Sequence, residues 1–119
     1  MNWDQLTDEY CQSEGCSDQH IAMAMAGPYS PIITQSMQRK QRNARRAAAA
    51  VRQAYEANPT ASREELRNQS YKFLIGGVIL TFLLQSLVSV AVKMAIEWFL
   101  NRIFNSQEAD YGRVPLSPE

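Results

Sequence analysis

From Phe73 to Val92 the chain runs for twenty residues without a charged side chain. A helix of that length rises roughly 30 Å, the thickness of a bilayer hydrocarbon core. The polar side chains inside the run are Thr81, Gln85, Ser86 and Ser89, and the rest are aliphatic, Phe or Gly. A core helix of a soluble domain carries a polar stripe toward water. This run carries none with charge, and the rest of the chain lacks the apolar mass to bury it on all sides. Backbone amides in lipid must pair internally, which a helix achieves. The leading expectation is a membrane span. The competing one is a buried hairpin helix in an oligomeric soluble core, broken near Gly76 and Gly77.

The flanks fit a bilayer. Tyr71 and Lys72 precede the run, and Lys93 and Trp98 lie at or beyond its end. Aromatic and basic side chains of this kind anchor helices at the water interface. Ser36–Lys72 holds nine Lys or Arg against three acids, and Lys93–Glu119 holds three against four. The positive-inside rule then places the N-terminus in the cytoplasm and the C-terminus outside. No early apolar run follows Met1, so a signal peptide is not expected, and the internal segment would direct insertion.

With 119 residues the chain has room for one small domain. Its zero net charge hides a segregation. Five acids and no Lys or Arg lie in residues 1–30, whereas Arg39, Lys40, Arg42, Arg45, Arg46 and Arg52 fall in a window free of acids from Gln19 to Tyr55. Blocks of this kind mark interaction surfaces.

Four segments follow. Residues 1–30 are acidic, with short helices: Trp3, Leu6 and Tyr10 share a helical face, Gly15 ends that helix, and Ser17 caps a second over Asp18–Ala26 before Gly27 and Pro28. Residues 31–58 form a basic amphipathic helix with Met37, Ala44, Ala48, Val51 and Tyr55 on one face. Residues 59–104 restart at a capping box, Ser62 with Glu65, and no breaker but Gly76-Gly77 follows. One long helix is therefore predicted from about Arg63 to about Phe104, including the span 73–92. Residues 105–119 read as a polar flexible tail. The fold class is all-α.

The basic helix has three readings. It lies on an anionic leaflet, it tracks nucleic-acid phosphates, or its alanine stripe packs on a partner helix and leaves a solvated basic face. Nucleic acid is disfavoured because no aromatic residue lies on the basic face for base stacking. The acidic N-terminal helices are a further candidate to fold back on it.

Within the span, Gly77, Thr81, Gln85 and Ser89 recur every four residues. Small and polar residues form contacts between membrane helices, so this track is the candidate self-association face. Lys93 and Glu97 sit one turn apart and are expected to pair.

Chemistry is sparse. Cys11, Cys16 and His20 are the chain's only soft ligands, and tetrahedral zinc needs four donors. A metal site would have to borrow Asp18, Glu14 or a second chain, and two ordinary thiols beside a surface histidine is the plainer expectation. No phosphate loop, dinucleotide fingerprint or HExxH is present, so neither enzyme activity nor a cofactor is expected. Asn68-Gln69-Ser70 matches a glycosylation sequon but lies on the expected inner side.

The functional expectation is a non-enzymatic, self-associating, single-pass membrane protein that anchors a complex at the cytoplasmic face, with lipid and a protein partner. Two alternatives stand. One is an oligomeric pore former, similar in size and layout to holin-type phage lesion proteins. The other is a membrane tether for nucleic acid in a virion that contains lipid.

Overall fold

The computed structural model describes residues 1–28, 31–75 and 88–116, with residues 106–116 described by their backbone alone. Its described elements are all helical: α1 (Trp3–Glu14), α2 (Asp18–Ala26), α3 (Pro31–Ala57), α4 (Arg63–Ile75) and α5 (Val90–Leu116). Among the described residues no helix is long and apolar enough to cross a membrane.

The helix ends obey local rules. Asn2 caps α1, its side-chain oxygen accepting from the Gln5 amide at 3.1 Å. Gly15 ends α1 in the left-handed region, at φ 69°, where a side chain is strained. Ser17 caps α2 through the His20 amide. Pro31 occupies the first position of α3, where its missing N–H costs nothing. Ser62 caps α4, accepting from the Glu65 amide while its hydroxyl donates to the Glu65 carboxylate, both at 3.2 Å.

The bundle is organised around α3. Its Ala44, Ala47, Ala48, Ala50, Val51 and Ala54 are buried. Such small side chains let helix axes approach toward the 8 Å end of the usual range of about 8–10 Å. The stripe packs on α4, α5 and α1. A stripe at helical spacing covers it from α5: Val92, Ala95, Ile96, Phe99, Leu100 and Ile103. From α4 come Leu66 and Tyr71. On the α1 side, Trp3 meets Tyr55, and Tyr10 meets Trp98 and Phe99, with ring centroids 5.4–5.9 Å apart. Arg102 reinforces that edge, pairing with Glu9 at 2.5 Å and lying over the Trp98 ring.

One continuous helix over 63–104 is not what forms. Val88 and Ser89 are outside any helix, and Ser89 caps α5 by accepting from the Val92 amide at 3.3 Å. The side chains of α4 and α5 then meet. Arg63 and Arg67 donate to the two oxygens of Glu97 at 2.8 and 2.5 Å, and Arg63 also reaches Asn101. In a straight helix Arg63 and Glu97, 34 residues apart, would be separated by roughly 50 Å. The cap supplies a start signal inside the apolar run, and the ion pairs hold the two arms together. The expected Lys93–Glu97 pair gives way to the two arginines of α4.

The backbone of α5 runs on past Asn105 to Leu116.

Candidate anionic-surface interface

Five of the six basic residues of α3 fall in one arc. At 100° per residue, Arg39, Arg42, Arg45, Arg46 and Arg52 span about 140°. The buried alanines occupy the opposite side. All six cations, Lys40 included, are exposed. Met37 and Tyr55, the ends of the expected apolar stripe, are half-buried. The amphipathic pattern is thus spent inside the chain, and what faces outward is charge.

Two of these cations have partners. Arg45 lies 3.8 Å from Asp18, whose carboxylate also accepts from Gln41 at 2.7 Å. Arg52 pairs with Glu56, one turn on, at 2.8 Å. Among the described residues Arg39, Lys40, Arg42 and Arg46 pair with no carboxylate. The acidic N-terminal segment does fold back on α3 through both α1 and α2, but among the described residues its only carboxylate paired with an α3 cation is Asp18.

The position of Arg46 matters most. It borders a pocket of about 380 Å³ together with Leu74 and Ile75 from the end of α4, and Val88, Ser89 and Val92 from the start of α5. Both ends of the charge-free run therefore meet at one place, beside the basic arc. At the other end of α4, Leu66 shares a pocket with Ala54, Ala57 and Asn58, so α4 runs antiparallel to α3. The first fifteen residues of α3, 31–45, extend roughly 22 Å beyond Arg46. At their tip Ile32 and Ile33 are exposed apolar side chains, and so are Met23 and Met25 of α2. Arg39, Lys40 and Arg42 lie between this tip and the place where the run begins and ends.

Of the candidate contact track, Gly77, Thr81 and Gln85 lie outside the described residues. Ser89 is exposed and serves as the cap of α5. The four candidate anchors separate. Tyr71 is 3 % exposed and belongs to the core, and burial, then the Glu97 charge, push its phenol pKa up. Trp98 is half-buried between Tyr10, Phe99 and Arg102. Lys72 and Lys93 are half-buried.

The Cys11, Cys16 and His20 trio does not converge on a metal: among the described residues no three His, Cys, Asp or Glu side chains gather. The His20 ring is held by the Ser17 hydroxyl at 2.6 Å, part of the α2 cap. Cys11 and Cys16 are buried free thiols. Burial, then the neighbouring Cys16 thiol, push Cys11 up to about 12, and burial also raises Cys16.

The exposed tip escaped sequence reasoning, and only the competing hairpin reading brought the run's ends together. Ile32-Ile33 directly after Pro31 was the available signal for the tip. Comparison with protein-family models, curated proteins and solved structures finds no match.

Proposed function

We propose that the protein is a non-enzymatic anchor attached to one face of an anionic membrane, where it holds a complex. The observation that carries this reading is the meeting of Ile75, Val88 and Arg46 around one pocket. In this reading the charge-free run, whose two described ends meet beside Arg46, enters the acyl region of the near leaflet, while Arg39, Lys40, Arg42 and Arg46 engage its headgroup phosphates. The exposed Ile32 and Ile33 add apolar contact at the tip. The alanine stripe of α3 takes no part, since its own chain covers it.

Vesicle flotation tests the proposal. The full chain should bind vesicles containing phosphatidylglycerol more tightly than pure phosphatidylcholine, and less so as salt rises. Each basic residue near the surface contributes about 1 kcal/mol, so replacing Arg39, Arg42 and Arg46 by Gln should weaken anionic binding about 100-fold. The same variant should keep its binding to phosphatidylcholine. Equal affinity for both vesicle types would refute the role given to the basic arc. Salt-sensitive DNA binding that proceeds without lipid would move the reading to the nucleic-acid tether.

A further inference from the structure

The corner between α1 and α2 brings two thiols together. Gly15, in the left-handed conformation, lets both its own amide and the Cys16 amide donate to the Cys11 carbonyl, the latter at 2.9 Å. The Cys16 bond is the six-to-one closure of a helix end, a setting in which the residue after the glycine commonly touches the residue four positions before the glycine. Here those two residues are Cys11 and Cys16. The hydrogen bond also limits their separation. Adding about 2.4 Å from the Cys11 Cα to its carbonyl oxygen, the hydrogen bond itself and about 1.5 Å from N to Cα, the two Cα atoms are at most about 6.8 Å apart. Any bend shortens this, and disulfides occupy Cα separations of about 4.4–6.8 Å. Both side chains enter the same core cluster, at 4 % and 0 % exposure, and are close enough for each thiol to perturb the ionisation of the other.

We propose that Cys11 and Cys16 are a dithiol pair that forms an intramolecular disulfide across the end of α1 without backbone rearrangement. The bond locks the α1–α2 corner, which sits against Gln41 and Arg45 of α3. The oxidant is a small-molecule disulfide such as oxidised glutathione. Cys11 reacts first, because Cys16 has no exposed surface. The Cys11 thiol loses its proton, and its thiolate attacks one glutathione sulfur. One glutathione leaves as a thiolate and takes up that proton. Cys16, deprotonated in turn, attacks the Cys11 sulfur of the mixed disulfide and expels the second glutathione. Two protein thiols are thereby oxidised by two electrons, and one glutathione disulfide becomes two glutathiones. The raised Cys11 pKa keeps the thiolate scarce at neutral pH, so the rate should climb about tenfold per pH unit from 7 to 9.

The experiment is mass spectrometry of the full native chain after incubation with oxidised glutathione, followed by thiol alkylation. The expected result is a monomer lighter by two hydrogens that takes up no alkylating group. Cys16→Ser should accumulate one glutathione adduct on Cys11, and Cys11→Ser should stay unmodified until unfolded in urea. Circular dichroism of both variants establishes that the helices persist, and the wild-type mass decides the matter if they do not. Two alkylatable thiols remaining in the wild type, a stable mixed disulfide on it, or a disulfide-linked dimer would each overturn the proposal.

Discussion

The contact between Glu97 and the two arginines of α4 makes a prediction that separates a paired arrangement of α4 and α5 from a straight helix. Arg67 and Glu97 are 30 residues apart in sequence and 2.5 Å apart in space. A continuous helix would hold them about 45 Å apart, and their mutations would be independent. In the observed fold they share a charge-assisted hydrogen bond, a class worth about 1.5–3 kcal/mol when shielded. Arg67 is 26 % exposed and Glu97 37 %, so water screens part of this. With exposed ion pairs worth about 0.2–1 kcal/mol, a coupling of about 1 kcal/mol is expected. The assay is a double-mutant cycle in urea, with Arg67→Ala, Glu97→Ala and the double variant followed by circular dichroism. Coupling below about 0.3 kcal/mol would refute the pairing of the two arms. The same carboxylate gives a pH dependence. Burial pushes its pKa up, but hydrogen bonds and charge from Arg67 and Arg63 outweigh burial, and the net shift is downward. A carboxyl depressed in the folded state contributes stability above its unfolded pKa and loses it as pH falls through the folded one. Glu97→Gln should therefore destabilise the protein at neutral pH and narrow its gap to wild type in acid.

Other outcomes follow from single positions. Ser89→Ala should cost about 1 kcal/mol in urea unfolding, while Ser89→Asp, which also caps, should cost less. Ala47 is fully buried where α3 meets its neighbours, so Ala47→Leu should destabilise by about 1–3 kcal/mol through overpacking, measured as a lower thermal midpoint.

Much of the helical framework was legible because its punctuation is local. Ser17, Ser62 and Gly15 each stop or start a helix by a hydrogen bond or backbone angle that involves only near neighbours. Ser89 uses the same physics, yet it sits in an apolar run with Val92 rather than an acid at the third helical position. A serine there reads equally well as one step of a membrane contact track. The pairing of α4 with α5 left no periodic trace, because it depends on side chains 30 and 34 residues apart. Tyr71 and Trp98 could not be placed from the sequence for a related reason. An amphipathic ring suits a headgroup layer or a core edge, and only tertiary packing decides between them. The basic arc was legible residue by residue, since it depends on nothing beyond helical geometry. What covers its opposite face was not.

The position of Ile75 and Val88 also bears on membrane topology. Twelve residues, 76–87, separate them, and both border the same pocket. Fully extended, six residues reach out about 20 Å and six return, while a helical path covers less than half of that distance. The hydrocarbon core is about 30 Å thick. Twelve residues whose two ends stay at one pocket are therefore too few to cross that thickness and return. A topology with the two termini on opposite faces needs the ends of α4 and α5 to part, which breaks the Arg63, Arg67 and Glu97 contacts. The proposed anchor accordingly keeps both arms on one side. Gln69→Cys on α4 and Asn105→Cys on α5, each in a Cys11→Ala, Cys16→Ala background, would report this in sealed vesicles. A membrane-impermeant maleimide should label both positions, or protect both, according to which face the protein occupies. Labelling of one with protection of the other would show that the run crosses the bilayer and that the α4–α5 contact opens in lipid.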